Sequence, residues 1–165
     1  MRSYTIYRSS RTGVLECCAF QDGRMILHTS MVTDGSAPVL IDTANIRLKS
    51  DYDSDQTLIP GVTKRTVFYS GKSTRFAEIK WNRDETYTID FTDEEVKAIR
   101  PDGNSFVFEQ SDRTIGTIDK NPRGEMPVIY EDVRYEPSYT VEYEEGISQQ
   151  ALIMMMVFPI LYFGF

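Results

Sequence analysis

Four basic residues are the side chains of this sequence whose types and spacing most suggest binding chemistry: Lys64, Arg65, Lys72 and Arg75. They flank Gly71-Lys72-Ser73, a turn signal between two strand-like stretches, so a hairpin would place them on neighbouring strands. Clustered cations of this kind can bind phosphoinositide headgroups. The alternative is cross-strand charge pairing on a solvent-exposed face, for example between Arg65 and Glu78. The cluster is therefore the candidate ligand-binding site.

Catalytic chemistry has little support in the sequence. His28 is the only histidine, and no Gly-x-Ser-x-Gly segment is present to place a nucleophilic serine beside it. We therefore predict no catalytic residues, and we interpret His28 as an ordinary surface or core side chain.

Metal and cofactor binding are also unsupported. Asp51, Asp53 and Asp55 begin like a calcium-binding loop, but Gln56 stands at position six, where glycine is required, and Val62 stands at position twelve, where glutamate is required. Paired-cysteine zinc sites and glycine-rich phosphate loops are absent from the sequence. We predict no metal and no cofactor, and a solvated loop is the simpler interpretation of the three aspartates.

The overall charge restricts the partners. The formal net charge is −7 and the sequence pI is about 4.8. Nucleic-acid binding needs a basic surface, so the sequence argues against that function. The same charge opposes broad adsorption to an anionic membrane, although a local basic patch would still attract a headgroup.

The two cysteines, Cys17 and Cys18, are adjacent. This spacing excludes a disulfide framework and favours a reducing compartment. The first residues contain no apolar run typical of a signal peptide, so we expect a cytoplasmic protein. Neighbours on a strand point to opposite faces, so we expect one cysteine to face inward and the other to react readily with thiol reagents.

Short strands with alternating apolar residues occupy most of the chain. Ala77, Ile79 and Trp81 alternate with Glu78 and Lys80, and similar patterns recur every 8–12 residues between turn signals. A length of 165 residues suggests one domain, spanning residues 1–165. We predict a mostly β, single-domain barrel or sandwich. Two stretches depart from the pattern: Ser50–Pro60 is polar and predicts a loop, and Thr92–Glu95 resembles the capped start of a short helix.

The last fifteen residues, 151–165, carry no charge. A segment that is apolar on every side must be enclosed on every side. As a helix it would span about 22 Å at about 1.5 Å per residue, which is short for a bilayer core of about 30 Å. Its flank also lacks the basic residues typical of membrane anchors, since Glu144 and Glu145 precede it. We predict a helix buried inside a closed antiparallel barrel, with a tail anchor or a final strand as alternatives.

The C-terminal third resembles the tubby C-terminal superfamily, which includes the phospholipid scramblases and the LURP-one-related proteins. The resemblance rests on three stretches: 113–118, the acidic strand 139–144, and the apolar run that begins at Ala151. It implies a barrel with a hydrophobic C-terminal helix through its centre. It also implies a non-enzymatic binding or scaffold function. The ligand would be a phosphoinositide or another lipid headgroup, bound peripherally at a membrane, or a protein partner.

Two other functions remain open at this point. The chain could be a tail-anchored membrane protein with an acidic cytosolic domain, which requires an exposed terminal helix. It could also be an enzyme that uses carboxylates inside a lipocalin-like barrel, which requires a polar cavity with converging acids.

Overall fold

The computed structural model describes residues 2–9, 14–32, 39–53, 65–71, 74–82, 86–120 and 124–163, with the backbone alone described at 31–32, 51–53, 65 and 159–163. These residues form thirteen strands and one helix. In chain order they are β1 (Arg2–Ser9), β2 (Val14–Gln21), β3 (Arg24–Val32), β4 (Leu40–Thr43), β5 (Arg47–Asp53), β6 (Arg65–Ser70), β7 (Thr74–Trp81), β8 (Thr86–Asp90), β9 (Glu95–Asp102), β10 (Ser105–Gln110), β11 (Arg113–Asp119), β12 (Val128–Tyr130), β13 (Val133–Tyr143) and α1 (Gln149–Phe163).

Twelve of the strands close into an antiparallel barrel. Strands β1 to β11 pair in chain order, β11 pairs with β13, and β13 returns to β1 through a register that runs from Arg2↔Tyr143 to Ser9↔Tyr135. Strand β12 is a short branch that pairs with β13. The prediction of a mostly β, closed antiparallel barrel is confirmed.

Three of the two-residue hairpin loops share an unusual backbone conformation. The loops Asp22-Gly23, Ser111-Asp112 and Glu131-Asp132 have positive φ at both positions. This is the conformation of type I′ turns, whose twist matches that of the flanking strands. Only the first of these loops contains the glycine by which such a turn is usually predicted from sequence.

Helix α1 lies inside the barrel, as predicted. Ala151 and the residues from Ile153 to Phe158 are buried, and the ring of Phe158 packs against the rings of Tyr87, Phe106 and Phe108, with centroids 5.0, 5.1 and 5.8 Å away. The Tyr139 hydroxyl donates a hydrogen bond to the carbonyl oxygen of Met156. The exposed helix that a tail anchor requires is therefore not found over these residues.

The helix begins two residues before the predicted start. The Ser148 hydroxyl accepts a hydrogen bond from the amide of Ala151 at 3.0 Å, which caps the first turn, so Gln149 and Gln150 already belong to α1. Within the described residues, no helix combines the length and the hydropathy needed to cross a bilayer.

Two local predictions are wrong. The loop predicted at Ser50–Pro60 is wrong over its first four residues, because β5 continues to Asp53 in register with β6; the rest of that stretch lies outside the described residues. The predicted short helix near Thr92 is a bend that leads into β9, and Pro101 lies within that strand. The register with β8 and β10 outweighs the local capping signal there.

A second apolar cluster lies on the outside of the barrel. The hairpin formed by β12 and the start of β13 contributes Tyr130 and Tyr135, which pack with Tyr7, Cys18 and Phe20. We call this group the outer cluster. It buries side chains that would otherwise face solvent.

Candidate functional site

The predicted basic site is spread along one hairpin. Arg65 is the first residue of β6, opposite Lys80, whereas Arg75 stands opposite Tyr69 near the other end of the strand. Position 69 lies four residues along the strand from position 65, a distance of about 13 Å at about 3.3 Å per residue. Lys64 and Lys72 lie outside the described residues. The hairpin itself is confirmed, while recognition of a headgroup by these residues stays a prediction.

Arg75 forms a local ion pair. Its Nη2 atom lies 2.8 Å from Oε2 of Glu78, whose side chain is 4% exposed. Arg65 does not stand opposite Glu78 as expected, because the register of this ladder places Val67 opposite Glu78. Arg75 is therefore already engaged with a carboxylate that a phosphate would have to displace.

His28 of β3 stands opposite Cys18 of β2 in the ladder between these strands. His28 lies on the outer face, with Nε2 3.7 Å from Oε1 of Glu16. Cys17 faces the barrel core and Cys18 faces the outer cluster, so the expected opposite orientation is correct. Both side chains are nevertheless fully buried, which overturns the expectation that one of them is accessible. Burial raises the pKa of both thiols, that of Cys18 to about 12.

We expect both cysteines to react slowly with a thiol reagent in the native protein, because the thiolate is the reactive form. Tyr135→Ala removes a ring from the outer cluster and should accelerate labelling of Cys18 without changing that of Cys17. Mass spectrometry of the single-cysteine variants Cys17→Ala and Cys18→Ala measures each rate separately. Rapid labelling of Cys18 in the otherwise unaltered protein would show that the outer cluster does not cover it.

A further cavity lies at the mouth of the barrel near the start of α1. It has a volume of about 780 Å³ and an acidic lining that includes Glu94, Glu95 and Glu109. Glu94 accepts hydrogen bonds from Gln110, at 3.2 Å, and from the helix-capping Ser148. A hydrogen bond to Asp90 raises the pKa of Glu95, and partial burial adds to the shift. These contacts attach the helix to the barrel mouth, which is a structural role.

No metal centre accompanies these acids. Within the part of the chain that the structure describes, no group of three or more His, Cys, Asp or Glu side chains is placed to hold a metal ion. Glu16 and Glu78 are buried, yet each alternates with core-facing neighbours and so lies on the outer side of the wall.

A gap in the barrel wall offers a better site. The ladder between β1 and β2 contains three residue pairs, from Ile6↔Ala19 to Arg8↔Cys17, whereas β1 and β13 pair over eight residues. Among the described residues, no strand pairs with Arg2–Thr5 on the side away from β13. We call this unpaired edge and its surroundings the seam. Its alternate N–H and C=O groups are available to a further strand.

The seam begins beside a bulge in the neighbouring hairpin. A bulge between Ala19 and Phe20 inserts Ile26 as an extra residue in β3. Phe20 packs in the outer cluster, 5.6 Å from the ring of Tyr7 and 5.5 Å from that of Tyr130. Bulges bend and twist a strand, and this bulge lies at the point where the pairing of β2 with β1 ends, after Ile6↔Ala19.

Two cavities meet at the seam, and both are lined by Tyr4 and Gln21. The first, which we call the cleft, has a volume of about 540 Å³ and a wall formed by Arg2, Tyr7 and Glu125. The second, which we call the slot, has a volume of about 210 Å³ and reaches the central helix. The apolar side chains that line the slot are Tyr4, Ile26, Leu27, Leu152, Ile153 and Met156.

The charges around the cleft are partly compensated. Nε of Arg2 lies 3.0 Å from Oε1 of Glu145, and that hydrogen bond raises the pKa of Arg2. The Tyr7 hydroxyl donates to Oε2 of Glu125 at 3.3 Å, and the pKa of Tyr7 is raised first by burial and then by this carboxylate. Since Arg2 and Glu145 offset one another, Glu125 determines the sign of the charge that the described lining presents.

Sequence reasoning missed the seam. The period-2 pattern identified both strands, but it contains no signal for the length of the ladder between them. No family model, curated protein or solved structure matches this chain. The resemblance to the tubby C-terminal superfamily stays a prediction that rests on the arrangement of barrel and helix.

Proposed function

We propose that this protein is a non-enzymatic binding module that holds an extended peptide segment as an added strand along Arg2–Thr5. The observation that supports this proposal is the seam itself, a strand edge left unpaired among the described residues, with two cavities lined by its Tyr4. Strand addition is an established mode of peptide recognition, in which backbone hydrogen bonds provide affinity and pockets for alternate side chains provide specificity.

The chemistry of the seam favours a peptide over other ligands. A sheet edge offers alternating donors and acceptors at the spacing of another backbone. The slot, at about 210 Å³, is smaller than the roughly 300 Å³ at which small-molecule pockets begin. It therefore suits one side chain of a longer ligand.

A non-enzymatic role agrees with the described side chains. His28 stands opposite Cys18 in the β2–β3 ladder, but both thiols are buried with raised pKa values, and Nε2 of His28 lies 3.7 Å from Oε1 of Glu16. The barrel interior is occupied by α1 where a lipocalin-like enzyme would need a polar cavity. A cytoplasmic location would give the seam access to intracellular polypeptides.

Selection from a phage-displayed library of random peptides of about ten residues, a typical upper strand length, tests the proposal. The unaltered protein should enrich a family of peptides. Ala44→Trp should abolish the enrichment, because Ala44 is exposed at the rim of the slot and a large ring there blocks it. Asn45→Trp places the same ring at the next exposed position, outside the slot lining, and should retain binding.

The headgroup alternative is tested in parallel by measuring whether the protein sediments with phosphoinositide-containing vesicles at low salt. Lys72→Glu is the appropriate variant, because Arg75 is held by Glu78. If the protein enriches no peptide family but sediments with these vesicles and loses this property in Lys72→Glu, the peptide proposal is wrong and headgroup recognition replaces it. Peptide enrichment that persists in Ala44→Trp would also contradict binding at the seam.

A further inference from the structure

We infer that the segment bound at the seam carries one apolar side chain that enters the slot, with a cationic side chain on each neighbouring residue. This inference rests on the proposed function and specifies its ligand class. It follows from the different chemistry of the two cavities at this strand edge: Thr5, Tyr7 and Glu125 line only the cleft, whereas the residues of the central helix line only the slot.

The apolar position follows from the pleat of the sheet. A residue directly opposite Tyr4 on an added strand points to the same face as Tyr4, which lines the slot. There it meets Leu152, Ile153 and Met156, the side of the central helix that lines the slot. Methionine is flexible and adapts to different apolar shapes, so the slot should accept several aliphatic side chains.

The cationic positions follow from the alternation along the strand. Residues on either side of the apolar one point to the outer face, where Thr5, Tyr7, Phe20 and Glu125 line the cleft. A Lys or Arg side chain there can form a charge-assisted hydrogen bond to Glu125 while its methylene groups lie on the aromatic rings. The net charge of −7 attracts such a segment over longer distances.

Four synthetic peptides test the inference by fluorescence anisotropy. The reference is Thr-Lys-Thr-Lys-Leu-Lys-Thr-Lys-Thr with blocked ends. The others replace Leu with Ser, replace every Lys with Glu, or replace every Lys with Gln. Loss of the apolar side chain or reversal of the charges should each weaken binding by about tenfold or more, a factor that corresponds to about 1.4 kcal/mol. The Gln peptide should fall between the Lys and Glu peptides.

A charge swap in the protein tests the second half of the inference. Glu125→Lys should reverse the order of the Lys and Glu peptides, since Glu125 is an exposed side chain in the cleft. Asp93→Lys changes the net charge equally but lies in the acidic mouth cavity, so it should preserve the order.

The outcomes separate the inference from the proposed function. Equal binding of the Leu and Ser peptides, or an order that Glu125→Lys does not reverse, overturns the inference. If the reference peptide fails but the library yields another family that Ala44→Trp excludes, the proposed function stands and this ligand class is wrong. If no peptide binds in either experiment, both are wrong.

Discussion

Replacing Met155 with Asp is expected to remove most or all of the stability of the fold. Met155 is fully buried at the centre of the barrel, beside Gly116 of β11. An unpaired carboxylate there would have no water to solvate it, and the cost of several kcal/mol is comparable with the roughly 5–15 kcal/mol that stabilises a typical domain. Urea denaturation followed by circular dichroism measures the loss.

The control is Met155→Leu, which preserves apolar volume and should cost less than about 1.5 kcal/mol. Deleting residues 151–165 should give insoluble or unfolded protein for the same reason, since the barrel would lose its centre. A truncated protein that stays soluble and melts cooperatively at the original temperature would contradict a barrel built around α1.

Gly116→Ala is the second substitution with a large expected effect. A Cβ atom at this position would lie 2.1 Å from Cε of Met155 and 2.8 Å from the backbone oxygen of Glu142. The end of the methionine can move, but the Glu142 oxygen is fixed by the ladder between β11 and β13. We expect a loss of about 1–3 kcal/mol, the typical cost of overpacking.

Gly103→Ala is the matched control, because the nearest atom to its added Cβ would be Nη2 of Arg100 at 3.9 Å, an ordinary contact. It should change stability by less than about 0.5 kcal/mol. In the double variant Gly116→Ala/Met155→Ala, the shorter helix side chain should relieve the clash with Met155. The clash with the backbone oxygen of Glu142 should remain. Equal stability of Gly116→Ala and Gly103→Ala would show that β11 and α1 do not approach this closely.

The architecture could be predicted because its signals are local. An apolar segment without charge must be enclosed wherever it lies in the chain. The alternation of apolar and polar residues within each strand is enough to identify that strand. The burial of Cys18 could not be predicted in this way. It depends on the β12–β13 hairpin, which is more than a hundred residues away in sequence and folds over the outer face. The Glu131-Asp132 turn that forms this hairpin also lacks the usual glycine signal.

The candidate site was less accessible to sequence reasoning than the fold. The positive charges of Lys64, Arg65, Lys72 and Arg75 led to the prediction of a binding site. The two described members, Arg65 and Arg75, lie far apart along the hairpin, and Arg75 forms an ion pair with Glu78. The seam begins at the bulge beside Phe20, whose ring packs against that of Tyr7. Both are consequences of tertiary packing, for which single residues carry no signal.

The slot links ligand binding to the stability of the barrel. Its inner wall is formed by Leu152, Ile153 and Met156 of α1, and the same helix fills the barrel core. A ligand that binds only the folded state stabilises it by mass action. Peptide binding at the seam should therefore raise the melting temperature, by an amount that grows with the logarithm of the ratio of free peptide concentration to Kd.

Hydrogen exchange at the β1 amides tests the central claim most directly. In the free protein, the alternate amides of Arg2–Thr5 that face away from β13 should exchange rapidly, while their neighbours paired with β13 exchange slowly. Addition of a peptide enriched by the unaltered protein, followed by NMR, should protect those rapid amides. If the peptide binds and their exchange is unchanged, or if they are already protected in the free protein, strand addition at the seam is wrong.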